Sequence, residues 1–442
     1  MTDVRLSRNP RAARPGLRSR RGLAGVLAAQ ICTLSAARLL TVAVPWLLVT
    51  GTGDPDRAAW SIGIVVACQT APYALMQWAA GPLIDRLGGR RISIIGDLTG
   101  AILLTVLALA PAAPVWLIAA VMFLVGTADG PAHSGRRLLV PVAAIAAGHS
   151  IERGVQYAAV AGRASIAIGA ATAGWLLAAT GGLTTLWTAA ALLAAATAVT
   201  ALVCPDAPCD RSHHTYLVQL RAGAAFLRRE RSLRALSAML LVTNLLDQAL
   251  LALLLPLWVH TSRHDPSLIG LAPGVAGAAA AGSALAGTWL GARIRLPRRS
   301  VYLAGVLISG PTRIAVLSLD WPPAAVVAVF AIAGIGSGLF NPIVETVQIE
   351  KIPEALRGRV LAIISTAAWI GIPAGGLVGA ALVETVGLTA TTAVCAATYL
   401  AAVLYPAWRV TWQPSPGGPN GATASAQQPA GAARRSTGLA PT

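Results

Sequence analysis

Runs of about 20 apolar residues, enough at 1.5 Å per residue to cross a hydrocarbon core roughly 30 Å thick, follow one another along nearly the whole chain. One such run could be an anchor, but so many in succession must be the body of the protein. Of 442 residues 55% are hydrophobic and 12% charged, whereas a soluble domain carries about 25% charged residues. An ordinary soluble fold is excluded, and the expected class is an all-α integral membrane protein. The spans are placed near 23–50, 59–81, 92–112, 115–137, 154–179, 183–204, 235–260, 267–292, 300–319, 322–346, 359–383 and 387–407. The first follows seven arginines in residues 1–22. It is too long for a signal-peptide core and lacks an A-x-A cleavage site, so it is expected to remain as a helix.

Lys and Arg accumulate in cytoplasmic loops. With the amino terminus inside, the inner segments hold 29 of the 34 basic residues, the outer loops hold Arg57 and Arg263 alone, and Arg38, Arg163 and Arg313 fall within spans. Both termini are therefore expected in the cytoplasm. The formal charge of +17 is topological, lying where anionic lipid headgroups meet the protein, and calls for no nucleic acid. Tryptophans mark the same boundaries, with Trp60, Trp116, Trp187, Trp258 and Trp321 at outer ends and Trp78, Trp289, Trp408 and Trp412 at inner ones.

The chain also repeats itself. Pro45 and Pro256 are 211 apart, as are Asp54-Pro55 and Asp265-Pro266, and Trp78 and Trp289. Gly81 then matches Gly291, Arg90-Arg91 matches Arg298-Arg299, Pro131 matches Pro342, and Arg153-Gly154 matches Arg357-Gly358. Such an ordered series predicts two pseudo-symmetric six-helix bundles. The expected organisation is an Arg-rich cytoplasmic tail over 1–22, bundles over 23–204 and 235–407, a cytoplasmic linker over 205–234, and a disordered tail over 408–442.

Within the linker Tyr216, Leu217, Leu220, Ala224 and Leu227 share one face opposite Arg221, Arg228, Arg229 and Arg231, which predicts an interfacial amphipathic helix. Beyond about Gln413 the sequence is rich in Pro, Gly, Ala and Ser and has no periodicity. The five cysteines are scattered singly and are expected as packing residues. Cys204, Cys209, His213 and His214 lack a second ligand pair at zinc spacing, so no metal is expected.

After the second span, Gly81 to Arg91 reads G-P-L-I-D-R-L-G-G-R-R. This resembles the cytoplasmic signature G-x-L-x-D-R-x-G-R-R of the major facilitator superfamily, and I-P-E-A-L-R-G-R-V from Ile352 to Val360 resembles the loop before the eleventh helix in its drug, macrolide and siderophore exporters. The resemblance implies the major facilitator fold, with two halves related by an axis along the membrane normal. It also implies a conformational latch of Gly81, Asp85, Arg86, Gly89, Arg90 and Arg91, in which Asp85 meets the amino end of the eleventh helix when the cytoplasmic side is closed. A carboxylate is favoured there by the helix dipole and the unpaired N–H groups. The second half, from Gly291 to Arg299, has no acidic counterpart. The fourth-helix arginine of proton-coupled drug exporters is not found in the fourth span, which carries Asp129 instead.

In that fold helices one, four, seven and ten line a cavity, and two, five, eight and eleven form the interface between halves. Arg or Asp near a bilayer centre costs roughly 2.5–3.5 kcal/mol, so such residues pair or line a wet pathway. Arg38 and Asp247, with Asn244 and Gln248 beside the latter, are expected to face each other as a substrate site. Asp129 and Arg163, on adjacent helices, are expected either to pair or to carry a proton, and Asp97 to support the Asp85 loop. Asp129 or Asp247 is the expected proton-coupling residue. Gln69, Tyr73 and Gln77, and Asn341 and Glu345, recur at helical spacing and are secondary cavity candidates, with interhelical hydrogen bonding as the equal alternative.

A phosphate-cradling G-x-x-x-x-G-K-[ST] is absent and Lys351 is the only lysine, which excludes an ATP-driven pump in this polypeptide. Six histidines near span ends or in loops form no catalytic constellation, so no enzyme is expected. The internal repeats and the family resemblance imply a secondary transporter working by alternating access. A proton-coupled exporter of small amphiphilic molecules is favoured, without cofactors, as a monomer in the plasma membrane of a bacterium. A nutrient importer and a non-transporting sensor are the alternatives.

Overall fold

The computed structural model describes residues 17–52, 54–204, 224–291, 297–319, 321–353, 356–410 and 412. Among the described residues, twelve helices are long and apolar enough to cross a membrane. They are α1 (Leu17–Thr52), α2 (Pro55–Leu87), α3 (Gly89–Ala108), α4 (Val115–Ala146), α5 (Ile151–Thr180) and α6 (Gly182–Val203). The second set is α7 (Arg231–Thr261), α8 (Leu268–Gly291), α9 (Arg298–Ser318), α10 (Pro323–Lys351), α11 (Arg357–Val386) and α12 (Leu388–Arg409). Odd-numbered helices run from the end bearing the arginine-rich loops, called here the basic end, to the far end.

The sequence repeats reappear as local geometry. Asp54 accepts a hydrogen bond from the N–H of Asp56 at 3.1 Å and Asp265 accepts one from Ser267 at 2.8 Å, so the same device opens α2 and α8 at the far end. The Ser267 N–H holds the Asp265 carboxyl below its usual range. The far-end turns into α6 and α12 each run through a left-handed glycine, Gly181 at φ 85° and Gly387 at φ 81°, where a Cβ would be strained. Symmetry breaks in two places. A π-turn over Leu250–Leu254 interrupts α7, and Ser309 interrupts α9 at φ −92°, ψ −94° just before Gly310-Pro311.

Within the halves α2 packs on α4, α1 on α5 and α6, α8 on α10 and α7 on α11, and the halves meet through α2 against α11 and α5 against α8. These seams are closest toward the far end. A Cβ on Gly63 would lie 2.8 Å from the Gly376 carbonyl oxygen, and one on Gly270 would lie 2.1 Å from that of Ala170. Without a driving force between apolar helices in lipid, such backbone approach is what small residues make possible. Trp60 donates to Glu384 at 2.8 Å across the same end, and Trp46 meets His260 edge-on with centroids 5.8 Å apart.

Several boundaries differ from expectation. α4 continues to Ala146 because the apolar run resumes after Arg136-Arg137, and α1 begins within the expected tail. At the other end α12 reaches Arg409, and Trp412, expected in a headgroup belt, is buried with its ring 4.3 Å from that of Tyr302. Of the linker, residues 224–229 are helical, and Phe226 and Leu227 pack on Leu233, Ile352, Val360 and Ile364. Tyr216, Leu217, Leu220, Arg221, Cys209, His213 and His214 lie outside the described residues.

Candidate substrate cavity

Two glycines in α4 shape the site. A Cβ on Gly126 would lie 1.9 Å from the Gln69 carbonyl oxygen and one on Gly130 2.6 Å from that of Tyr73, so their absence of side chains lets α4 lie directly on α2. Asp129 and His133 are thereby turned toward Gln69 and Tyr73. On the other side a Cβ on Gly169 of α5 would lie 3.2 Å from that of Arg38, which makes room for the arginine stem on α1. In the second half Gly371 and Gly375 of α11 bring its backbone against the Leu241 and Leu245 carbonyls of α7.

Between these helices lies a cavity of ≈ 240 Å³ at the junction of the halves. Arg38, Gln69, Tyr73, Asp129 and His133 line it from the first half, and Gln248, Trp369 and Ile372 from the second. The Tyr73 ring stands 5.3 Å from that of Trp369 and 6.2 Å from that of His133, an aromatic bridge between the halves. Arg38 Nε is buried without a hydrogen-bond partner, and among the described residues Asp129 makes no hydrogen bond or ion pair. A smaller void of ≈ 30 Å³, the size of about one water, touches both Asp129 and Asp97.

The other interior charges are paired. Asp97 accepts from Arg136 through both carboxylate oxygens at 2.7 Å each and lies 3.4 Å from the Thr33 hydroxyl. Asp247 is held by Arg313 of α9, whose guanidinium stands 5.9 Å from the Tyr399 ring centroid. Three expectations are thereby corrected. Asp247 does not face Arg38, because α7 turns it into its own bundle and presents Gln248 to the cavity. Asp97 serves an ion pair inside the bundle, away from the Asp85 loop. Asp129 and Arg163 form no pair: the extended α4 puts Asp129 roughly 26 Å from the basic end and Arg163 only roughly 18 Å at 1.5 Å per residue, and Arg163 is exposed.

The sequence matches the family profile described as Major Facilitator Superfamily over residues 26–294 and 237–439. It is 31% identical over 387 residues to the multidrug efflux pump Tap of Mycobacterium tuberculosis (strain ATCC 25618 / H37Rv), covering 83% of this chain and 88% of the relative. The chain belongs to the major facilitator superfamily. The corresponding pump of Mycolicibacterium fortuitum is 29% identical over 362 residues, 79% of this chain and 86% of that one. In fold, a crystal structure of the nucleoside transporter NupG superposes with a TM-score of 0.69 at 17% identity, over 89% of this chain and 100% of that one. The D-xylose-proton symporter does so at 0.65 and 13%, over 89% and 97%. The superfamily is one of transporters, not enzymes, and its members move small molecules across membranes.

The loop that resembles the superfamily signature sits where α2 turns into α3. Asp85 and Arg86 are exposed on the last turn of α2, Gly88 makes the turn at φ 82°, and Gly89 lets α3 approach Gly135 of α4. Arg90 reaches the Thr200 and Ala201 carbonyls at the end of α6, where a cation satisfies unpaired C=O groups. It therefore caps a helix of its own half. Arg91 is exposed and nothing stands within 4 Å of a Cβ on Gly81. Among the described residues Asp85 has no partner, and no ion pair or ring contact joins the halves between the Tyr73–Trp369 bridge and the basic end.

Of the secondary candidates, Gln69 and Tyr73 reach the cavity and Gln77 is half-buried below it. Asn341 and Glu345 are exposed on α10, and Asn244 donates to the Ala368 carbonyl at 3.0 Å, tying α7 to α11. Sequence reasoning missed Arg136, His133 and Trp369. Arg136 was hidden by ending α4 too early, and with it the fourth helix does hold a buried arginine. The apolar run from Leu138 to Ala147 was the signal that could have found it.

Proposed function

We propose that this protein is a proton-coupled exporter of small amphiphilic molecules, drugs or secondary metabolites, in a bacterial plasma membrane with both termini in the cytoplasm. The observation that carries the reading is the kinship with multidrug efflux pumps over 83% of the chain. The cavity supports it, since aromatic and apolar groups from both halves share its wall with polar and charged ones, which suits amphiphiles. The Lys and Arg asymmetry supports the basic end as cytoplasmic. On that orientation the outer side is sealed by the Gly63–Gly376 and Gly174–Gly270 seams and the Asp85 latch is disengaged, which is the inward-facing state of an alternating-access cycle. Residues 23–204 and 235–407 then rock against each other about the cavity, and the linker over 205–234 tethers them.

Asp129 is the coupling carboxylate in this reading. It lines the cavity unpaired, whereas Asp247 is committed to Arg313. Energy comes from the proton gradient, with no bound cofactor and with one chain as the working unit. The test is efflux from proteoliposomes under an imposed pH gradient, screened against amphiphilic drugs. Gradient-driven movement that Asp129→Asn uncouples is expected. The absence of any gradient-driven movement across the screen would overturn the exporter reading.

A further inference from the structure

The interior of this bundle treats its charges unequally. Asp97 with Arg136 and Asp247 with Arg313 are neutralised inside single halves, while among the described residues the two charges that line the cavity form no ion pair. Arg38 presents a guanidinium whose Nε is buried and unbonded, its stem held against Gly169. Asp129 presents a carboxylate to the same cavity from α4. Around Asp129 stand Tyr73 on α2, Asp97 on α3, and His133 and Arg136 on its own helix α4. Arg136 is ion-paired to Asp97 through a single terminal nitrogen, and its Nε is buried without a partner.

We infer that the cavity selects a zwitterionic aromatic amphiphile, one whose anionic group meets Arg38 and whose basic amine meets Asp129. The inference rests on the exporter reading and names its substrate class. A charge in a low-dielectric site is favoured only when paired and hydrogen-bonded, and a zwitterion leaves neither wall uncompensated. The remaining polar groups fit the anionic end. Thr33, Thr41 and Thr70 spend their hydroxyl protons on Ala29, Ala37 and Val66 carbonyls, so among the described residues the donors left over are Arg38, Tyr73, His133, the Trp369 indole and the Gln69 and Gln248 amides. Tyr73 and Trp369 offer ring faces for an aromatic body.

Coupling favours the same class. A proton on Asp129 removes the partner of the amine, so proton and substrate exclude each other, as exchange requires. A simple anion would instead be favoured by that proton and would couple in the opposite sense. A simple cation would leave Arg38 uncompensated.

The experiment is equilibrium binding to the full-length protein in nanodiscs, without a gradient, followed by ligand fluorescence. The probes are norfloxacin, whose carboxylate and piperazine ammonium lie at opposite ends of an aromatic bicycle, its ethyl ester and its N-acetyl derivative. Norfloxacin is expected to bind at least about ten-fold more tightly than either single-charge derivative. Arg38→Met should bring norfloxacin level with its ester, Asp129→Asn should bring it level with the N-acetyl compound, and Arg38→Lys should keep the preference. Equal affinities for the three probes on the unmodified protein overturn the inference whatever the variants do, as does a preference that survives Arg38→Met. Zwitterion preference without gradient-driven efflux would support it while removing the exporter reading. Efflux of amphiphiles without charge preference would do the reverse.

Discussion

Arg136 and Asp97 are joined inside the first bundle by one guanidinium nitrogen that lies 2.7 Å from both carboxylate oxygens, with side chains 4% and 1% exposed. The Thr33 hydroxyl stands beside them, so α1, α3 and α4 converge on this pair. Removing one member of such a pair leaves an uncompensated buried charge, at a cost of about 3–5 kcal/mol, whereas an apolar replacement of both is often neutral. Arg136→Met is therefore expected to lower the thermal midpoint in detergent sharply, and Asp97→Leu with Arg136→Met to recover most of the loss. A double variant no more stable than Arg136→Met would show that the pair does not act through charge compensation.

Asp85 and the amino end of α11 belong to the latch that the superfamily signature implies. Here Asp85 is exposed, and Arg357, the first residue of α11, has a buried Nε without a partner. Closing the basic end would supply each with what it lacks. Asp85→Asn should leave the protein folded and reduce efflux by at least about ten-fold, and Arg357→Gln in that background should add little, since coupled residues are not additive. Full transport by Asp85→Asn would remove the latch role.

The far-end seams make an opposite prediction. Gly270 stands where a Cβ would meet the Ala170 carbonyl oxygen at 2.1 Å and the Gly174 backbone N at 2.3 Å. These are main-chain atoms that cannot swing away. Gly270→Val is expected to hold the far end apart and so to depopulate the basic-end-open state. Labelling of a single cysteine placed at Leu87, exposed on the same turn as Asp85, by a membrane-impermeant maleimide, in inside-out vesicles, should then slow relative to the Gly270 parent. Unchanged labelling would mean that the seam is not what closes the far end.

The bundle was legible in the sequence because lipid forces it to be: each span must be long, apolar and internally hydrogen-bonded, and the repeats fall on caps and glycine turns that have few alternatives. The cavity was only partly legible. Apolar spacing places Arg38, Gln69, Tyr73 and Asp129 on the correct helices, but hydropathy does not fix the rotation of a helix among twelve neighbours. Asp247 and Gln248 are adjacent in sequence, and that rotation alone decides which faces Arg313 and which the cavity. Trp369 and Arg136 were missed for related reasons, one an aromatic among apolar residues and the other counted with the basic loop because the fourth span was closed one residue beyond it.

The broken ninth helix provides the last prediction and separates the two acidic candidates. A Cβ on Gly310 would lie 1.8 Å from the Tyr399 ring, so the break at Ser309-Gly310-Pro311 is where α12 seats that ring against Arg313, and Arg313 in turn holds Asp247. Gly310→Ala should destabilise the protein by about 1–3 kcal/mol through overpacking, with much of the loss relieved when Tyr399→Leu removes part of the ring. The ion pair beneath is an internal support of the second bundle in this geometry. Asp247→Asn should therefore lower thermal stability yet leave efflux dependent on the imposed pH gradient, whereas Asp129→Asn should do the converse. Uncoupling by Asp247→Asn with Asp129→Asn still gradient-dependent would move the proton site from the cavity wall of α4 to the α7–α9 pair.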